Sequence, residues 1–235
     1  MHTRMIGTHY SVKRELGAGA FGKVYHATDT RTGQPVAIKQ LRSEVTQPQM
    51  IERFKREGEA LRDLNHPNIV KMLDMFEHDG QHYLVMEYIH GSDLRELINR
   101  QGTIDYQTCL NMAIDLADAL TRAHRLNIIH RDLKPANVLI GEDGVLRLTD
   151  FGVAHVGGKE RVTDPDAIFG TVNYLPPEAF TGGAYDARSD IWAFGIMIFQ
   201  MISGQRPFLG DTIGATIHAI LNEPLPDLEH ICPDA

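Results

Sequence analysis

The sequence has no long apolar run, almost no cysteine and no surplus of positive charge, and each absence removes a class of protein. No stretch of its 235 residues comes near the length of a membrane-spanning helix, and the opening Met1-His2-Thr3-Arg4 lacks the apolar core of a secretory signal. Two cysteines, Cys109 and Cys232, lie far apart and define no disulfide framework; Cys109 falls in a helical pattern and reads as a small buried apolar residue. The expected location is the cytosol, or the cytosolic part of a longer protein. The net charge of −8 is uneven: residues 1–89 carry 12 basic and 11 acidic side chains, residues 90–235 carry 11 and 20. That balance argues against nucleic acid as the main partner, and the acidic half suits a basic partner as readily as a solvated face. There is no internal repeat and no low-complexity tract. An apolar fraction of 43% and a charged fraction of 23% are those of an ordinary globular chain, long enough for one large domain or two small ones.

What the sequence does have is concentrated in one stretch. His130-Arg131-Asp132-Leu133-Lys134-Pro135-Ala136-Asn137 follows a helical run and leads into the apolar Val138-Leu139-Ile140; Asp150-Phe151-Gly152 begins thirteen residues after Asn137. Val145-Leu146-Arg147-Leu148 reads as a second strand, joined to the first by the turn-forming Gly141-Glu142-Asp143-Gly144. Asp132, Lys134, Asn137 and Asp150 therefore sit on loops at the two ends of one small hairpin. Two oxygen ligands for a hard cation, a carboxylate near a nucleophile and an ammonium for developing charge are what phosphoryl transfer requires. A chance His-Arg-Asp-x-x-x-x-Asn in such a length is roughly one in a thousand, whereas Asp-Phe-Gly alone is about one in twenty.

Upstream, Tyr10 to Arg42 reads as three strands. Gly17-Ala18-Gly19-Ala20-Phe21-Gly22-Lys23-Val24 joins the first two, and its glycines let backbone N–H groups approach phosphate oxygens. A dinucleotide site would need a helix straight after that loop, but Lys23-Val24-Tyr25-His26-Ala27 alternates like a strand. Lys39 closes the third strand, Val36-Ala37-Ile38-Lys39. A helix follows, with Pro48 in its first turn and Ile51, Phe54, Glu57/Gly58, Leu61 and Leu64 as its apolar stripe. Glu57 on that stripe needs a partner, and Lys39 is the nearest candidate in sequence. Gly58 weakens the helix by ~1 kcal/mol against Ala, which would either ease its displacement or count for nothing. Ile69–Phe76 and Gln81–Tyr88 read as two more strands around an Asp79-Gly80 turn, and 108–127 as a long helix in which His124 is structural. His78 and His82, split by the glycine turn, do not make a helical metal pair. Residues 150–178 form a long segment with few regular signals, of the kind that is usually functional.

Together these segments resemble the serine/threonine branch of the protein kinase superfamily, from about Tyr10 to Ala235. The resemblance implies an α+β fold of two lobes: a small antiparallel sheet with one main helix over residues 1–88, and a mostly helical part over 89–235. It implies ATP and Mg2+ as cofactors and Ser/Thr hydroxyls of proteins as acceptors, with self-association for autophosphorylation. Asp132 would be the catalytic base, Lys134 the cation for the moving phosphoryl group, and Asn137 and Asp150 the magnesium ligands. Lys39, braced by Glu57, would hold the phosphates under the loop Gly17, Ala18, Gly19, Ala20, Phe21 and Gly22. Val24, Ala37, Leu139 and Thr149 would complete the nucleotide site. Met86 would stand at the gatekeeper position, Glu87 and Ile89 would offer backbone groups to adenine, and Asp93 would lie near the ribose. Leu61, Met72, His130 and Phe151 would stack as an apolar spine, with Asp190 anchoring the catalytic loop from below. Lys134-Pro135 and the Gly170–Glu178 segment favour serine/threonine over tyrosine acceptors. Arg131 beside the catalytic Asp implies control by phosphorylation of Thr163 in the long segment.

Two departures from the pattern stand out. Pro176 replaces the usual Ala in Ala-Pro-Glu, and the helices that normally follow, one of which supplies an Arg for the Glu matching Glu178, are missing. Arg188 and Arg206 are the candidates to replace it, and the chain reads as C-terminally truncated. The rivals are a kinase-like scaffold without turnover and a small-molecule kinase, the latter disfavoured by Gly170–Glu178.

Overall fold

The computed structural model describes residues 4–19, 22–41, 58–151 and 172–232. Six strands, β1 (Met5–Ile6), β2 (Tyr10–Gly19), β3 (Gly22–Asp29), β4 (Pro35–Leu41), β5 (Met72–His78) and β6 (Gln81–Glu87), form one antiparallel sheet in the order β1-β2-β3-β4-β6-β5. The alternation read from sequence carries it. Tyr25 and Ala27 of β3 and Val36 and Ile38 of β4 point into one core with Tyr10 and Tyr83, while their neighbours, Lys39 excepted, stay wetter. Phe76 stacks between Tyr10 and Tyr83, at centroid distances of 5.5 and 5.3 Å. Asp79 and Gly80 both take positive φ, 50° and 69°, which is the two-residue turn that a twisted hairpin favours.

A second sheet, β7 (Gly91–Asp93), β8 (Val138–Gly141) and β9 (Leu146–Leu148), is the expected hairpin with a short strand added. Around it pack the helices Leu94–Gln101, Tyr106–Arg125, Ala187–Ser203 and Ile213–Asn222, whose first turns are capped by Asp93, Asp105, Asp186 and Thr212. Leu116, Ala119, Leu120 and Ala123 of the second helix share one core with Ile196, Met197 and Met201 of the third. Among the described residues no helix is long and apolar enough to cross a membrane. The α+β architecture expected from the sequence is the one found.

Three local expectations change. The strand expected from Ile69 begins at Met72, because Ile69 pairs in parallel with Leu148 and Val70 N–H donates to Leu148 O at 2.8 Å. The long helix runs from Tyr106 to Arg125, two residues earlier than expected at each end, since Asp105 caps it. Gly58 gains a packing neighbour the sequence did not show: a Cβ there would lie 2.5 Å from Met75 Sδ, the end of a flexible side chain that would have to move, where residues 58–63, which are helical, approach β5.

Candidate active site

The stretch 130–137 is folded by an extended Lys134, a short helical turn at Pro135–Asn137 and the entry into β8. This brings three polar side chains onto one point. Lys134 Nζ lies 3.0 Å from Asp132 Oδ1 and 2.9 Å from Oδ2, straddling the carboxylate. Asn137 Nδ2 donates to Asp132 O at 2.7 Å and Oδ2 at 3.0 Å. With both amide hydrogens engaged, the polar function left to the Asn137 side chain is its acceptor oxygen.

Across the hairpin, Asp150 Oδ1 accepts from Lys39 Nζ at 2.7 Å. Lys39 is only 6% exposed, so this strand lysine turns inward, where a default reading of sequence would leave it in water. Burial by itself would push the Asp150 carboxyl up, but the Lys39 ammonium, with His130 and Lys134 beyond it, holds it below the usual carboxylate range. Thr149 N–H donates to Asn137 O at 3.0 Å, tying the two ends of the hairpin together.

Beneath the loop, Asp190 is 1% exposed and serves as its anchor. Its Oδ2 accepts from His130 N at 2.8 Å and its Oδ1 from Arg131 N at 2.9 Å. His124 Nε2 lies 2.8 Å from Oδ2; an ionised carboxylate only accepts, so that nitrogen carries the proton. Burial opposes ionisation of Asp190, and the His124 hydrogen bond, then His130 and the loop N–H groups, bring its pKa below the usual range. His124 was legible in the sequence only as a structural histidine, since the partner is 66 residues away.

His130 is fully buried, its ring 4.6 Å from that of Phe151, and its Nε2 lies 2.9 Å from Thr149 O. Burial drives its pKa down, against the pull of Asp190 and Asp132. It is a packing residue, as read from sequence, and no base. Leu61 packs against both the core that holds Phe151 and a smaller cluster of Leu41, Met72 and Leu84.

At the positions expected to hold the nucleotide, β4 pairs Ala37 with Met86 and Lys39 with Leu84 of β6, and Val24 of β3 stands opposite Lys39. Glu87 N–H donates to Lys71 O at 3.0 Å, and Glu87 Oε1 accepts from Lys71 N at 2.8 Å, which fixes the chain just before Ile89. Asp93 caps the Leu94–Gln101 helix through Glu96 N, pairs with Arg95 at 3.0 Å, and stands opposite Leu139 of β8. Gly17 and Gly19 close β2 and Gly22 opens β3. Ala20, Phe21, Glu57, Thr163 and Gly170–Thr171 lie outside the described residues. The Glu178 expectation takes another form: Arg188 forks onto Asp186 at 2.7 Å, and the Glu178 carboxylate accepts from Ser189 Oγ at 2.7 Å. Ser189 went unremarked in sequence because its role depends on a partner that only tertiary placement supplies.

Known proteins share this pattern. The model of the protein kinase domain matches residues 10–232. The chain is 36% identical over 233 residues to the probable serine/threonine-protein kinase PknB of Lactococcus lactis, covering 98% of this chain and 37% of that protein. It is 38% identical over 210 residues to the serine/threonine-protein kinase PrkC of Bacillus subtilis, at 89% and 32% coverage. A probable serine/threonine-protein kinase of Streptomyces coelicolor is 38% identical over 227 residues, at 94% and 34%. The chain thus spans about a third of the length of the curated relatives it matches.

Proposed function

From the membership of this chain in the protein kinase domain family, we propose that it transfers the γ-phosphoryl group of ATP to serine or threonine hydroxyls of proteins. The observation that supports the reading is the Asp132–Lys134–Asn137 cluster together with the Lys39–Asp150 pair at the other end of the hairpin. Asp132 orients the acceptor hydroxyl and takes its proton as the oxygen attacks. Lys134, already against that carboxylate, offsets charge on the phosphoryl group in flight. Lys39 holds the α- and β-phosphates, exchanging part of its contact with Asp150 for them, and Glu57 braces it. Gly17, Ala18, Gly19, Ala20, Phe21 and Gly22 cover the phosphates.

The acceptor oxygen of Asn137 and the second oxygen of Asp150 are hard donors of the kind magnesium takes, so the residues fit the ion. Bound there, Mg2+ would neutralise the phosphate oxygens during transfer. Val24, Ala37, Leu139 and Thr149 enclose the nucleotide, Met86, Glu87 and Ile89 present the adenine edge, and Asp93 reaches the ribose. Residues 1–88 and 89–235 act as the two lobes around it, and phosphorylation of Thr163, paired with Arg131, orders the long segment.

The test is phosphate incorporation into the protein itself and a generic basic protein with magnesium and ATP, against Asp132→Asn. Loss of a base of this kind costs about 10²–10⁴-fold in rate. Label on Ser or Thr that vanishes in the variant supports the reading. Absence of label in the parent, with ATP bound, favours the scaffold alternative. Label equal in parent and variant removes Asp132 from the chemistry.

A further inference from the structure

Resting on that reading, we propose that Ser189 is a positioning residue for the acceptor side of the reaction, tying residues 172–178 to the helix that also anchors the catalytic loop. Ser189 is the third residue of the Ala187–Ser203 helix and is 3% exposed. Its hydroxyl donates to Glu178 Oε1 at 2.7 Å and accepts from Asp186 N at 3.3 Å. It therefore closes the helix's capping box, a position where the side chain is ordinarily Glu or Gln. A glutamate here would set a second carboxylate against Glu178. Serine closes the box with a neutral group and still has a proton to give.

The next residue completes the argument. Asp190 holds the backbone of His130 and Arg131, so consecutive side chains of one helical turn grip two different segments. Ser189 grips the end of the long segment, and Asp190 grips the catalytic loop. Between them lies a small pocket lined by Arg131, Asp132, Leu175, Pro176, Tyr185 and Ser189. A hydroxyl presented to Asp132 brings its flanking residues past that wall. Tyr185 is part of it: burial pushes its phenol up to about 12, with the negative charges of Glu178 and Asp132 adding to the effect, so it stays neutral between two carboxylates. The Glu178 backbone is fixed, because its carbonyl accepts from Gly183 N at 3.0 Å.

Steady-state phosphorylation of a Ser/Thr peptide, with peptide and ATP varied separately, tests this in S189A, S189T, E178A and the double variant S189A/E178A. Loss of a hydrogen bond to a carboxylate predicts a rise of about tenfold in the peptide KM, with kcat and the ATP KM moving by less than about twofold. S189T, which keeps the hydroxyl, restores the parent KM. The double variant is no worse than the more affected single variant, because both remove one bond. Where S189A does not fold, E178A removes the same bond from the other side and must show the same shift. An unmoved peptide KM in a labelling enzyme, an equal shift in both KM values, or additive single effects overturns the proposal alone. A parent that binds ATP and labels no peptide overturns the kinase reading, and this inference with it.

Discussion

Two residues flanking the hairpin adopt a backbone that side chains avoid: Arg131 at φ 66° and Asp150 at φ 61°. Each costs on the order of 1–2 kcal/mol, and each is held by a charged partner, Asp190 for the first and Lys39 for the second. Asp190→Ala leaves the buried N–H of His130 without its acceptor along with that of Arg131. It is expected to destabilise the fold by about 2–4 kcal/mol, read from denaturant melts, and to slow turnover through the displaced Asp132. His130 supplies a pH dependence. Its pKa is lowered from 6.5 by burial, so the unfolded chain binds a proton that the folded chain refuses. The contribution of His130 to stability is full above the unfolded value and is lost as pH falls below it. Over that interval the slope is at most about 1.4 kcal/mol per pH unit. His130→Phe, which keeps the stack on Phe151, should flatten the stability profile below pH ~6.5; an unchanged slope would assign it to other groups, His26 among them.

The elements were legible where one physical signal dominated. Alternation in β3 and β4, the Asp79-Gly80 turn and the hairpin around Gly141–Gly144 came out as read, because each is decided within a few residues. Strand β7 did not, since Gly91–Asp93 becomes a strand only by pairing with Leu139–Gly141. That pairing has a sharp requirement. Gly91 has φ 155°, and a Cβ on it would lie 1.9 Å from Ile140 O. Gly91→Ala should therefore cost about 3 kcal/mol or more, since the chain must separate from β8 to admit the methyl group. A Tm within a few degrees of the parent would show that the strand shifts freely.

At the scale of the molecule, the segment before β5 is fastened to β9 through Asn68. Asn68 is buried, its Nδ2 donates to Leu146 O at 3.0 Å, and its carbonyl accepts from Leu148 N at 2.8 Å. Leu61 joins the two apolar clusters beside it. Asn68→Ala strands a buried carbonyl and is expected to cost about 1–3 kcal/mol. Because the bond links β9 to the segment before β5, amide exchange in both should rise together. Faster exchange in only one of them would show that the two move independently.

By itself the sequence determined the set of groups on which the proposed chemistry rests: an Asp, a Lys, an Asn and a second Asp on two loops of one hairpin, with a lysine and glycines upstream. Those residues announce themselves because phosphoryl transfer needs particular functional groups in a nearly fixed order. It also determined most elements, through periodicities set by backbone geometry. The tertiary structure alone decided which carboxylate takes which donor. Lys39 meets Asp150 across 111 positions, His124 meets Asp190 across 66, and Ser189, not Arg188, meets Glu178. The physical reason is that a carboxylate taken from water accepts, wholly or in part, whichever donor packing brings within about 3 Å, and packing is a property of the whole chain.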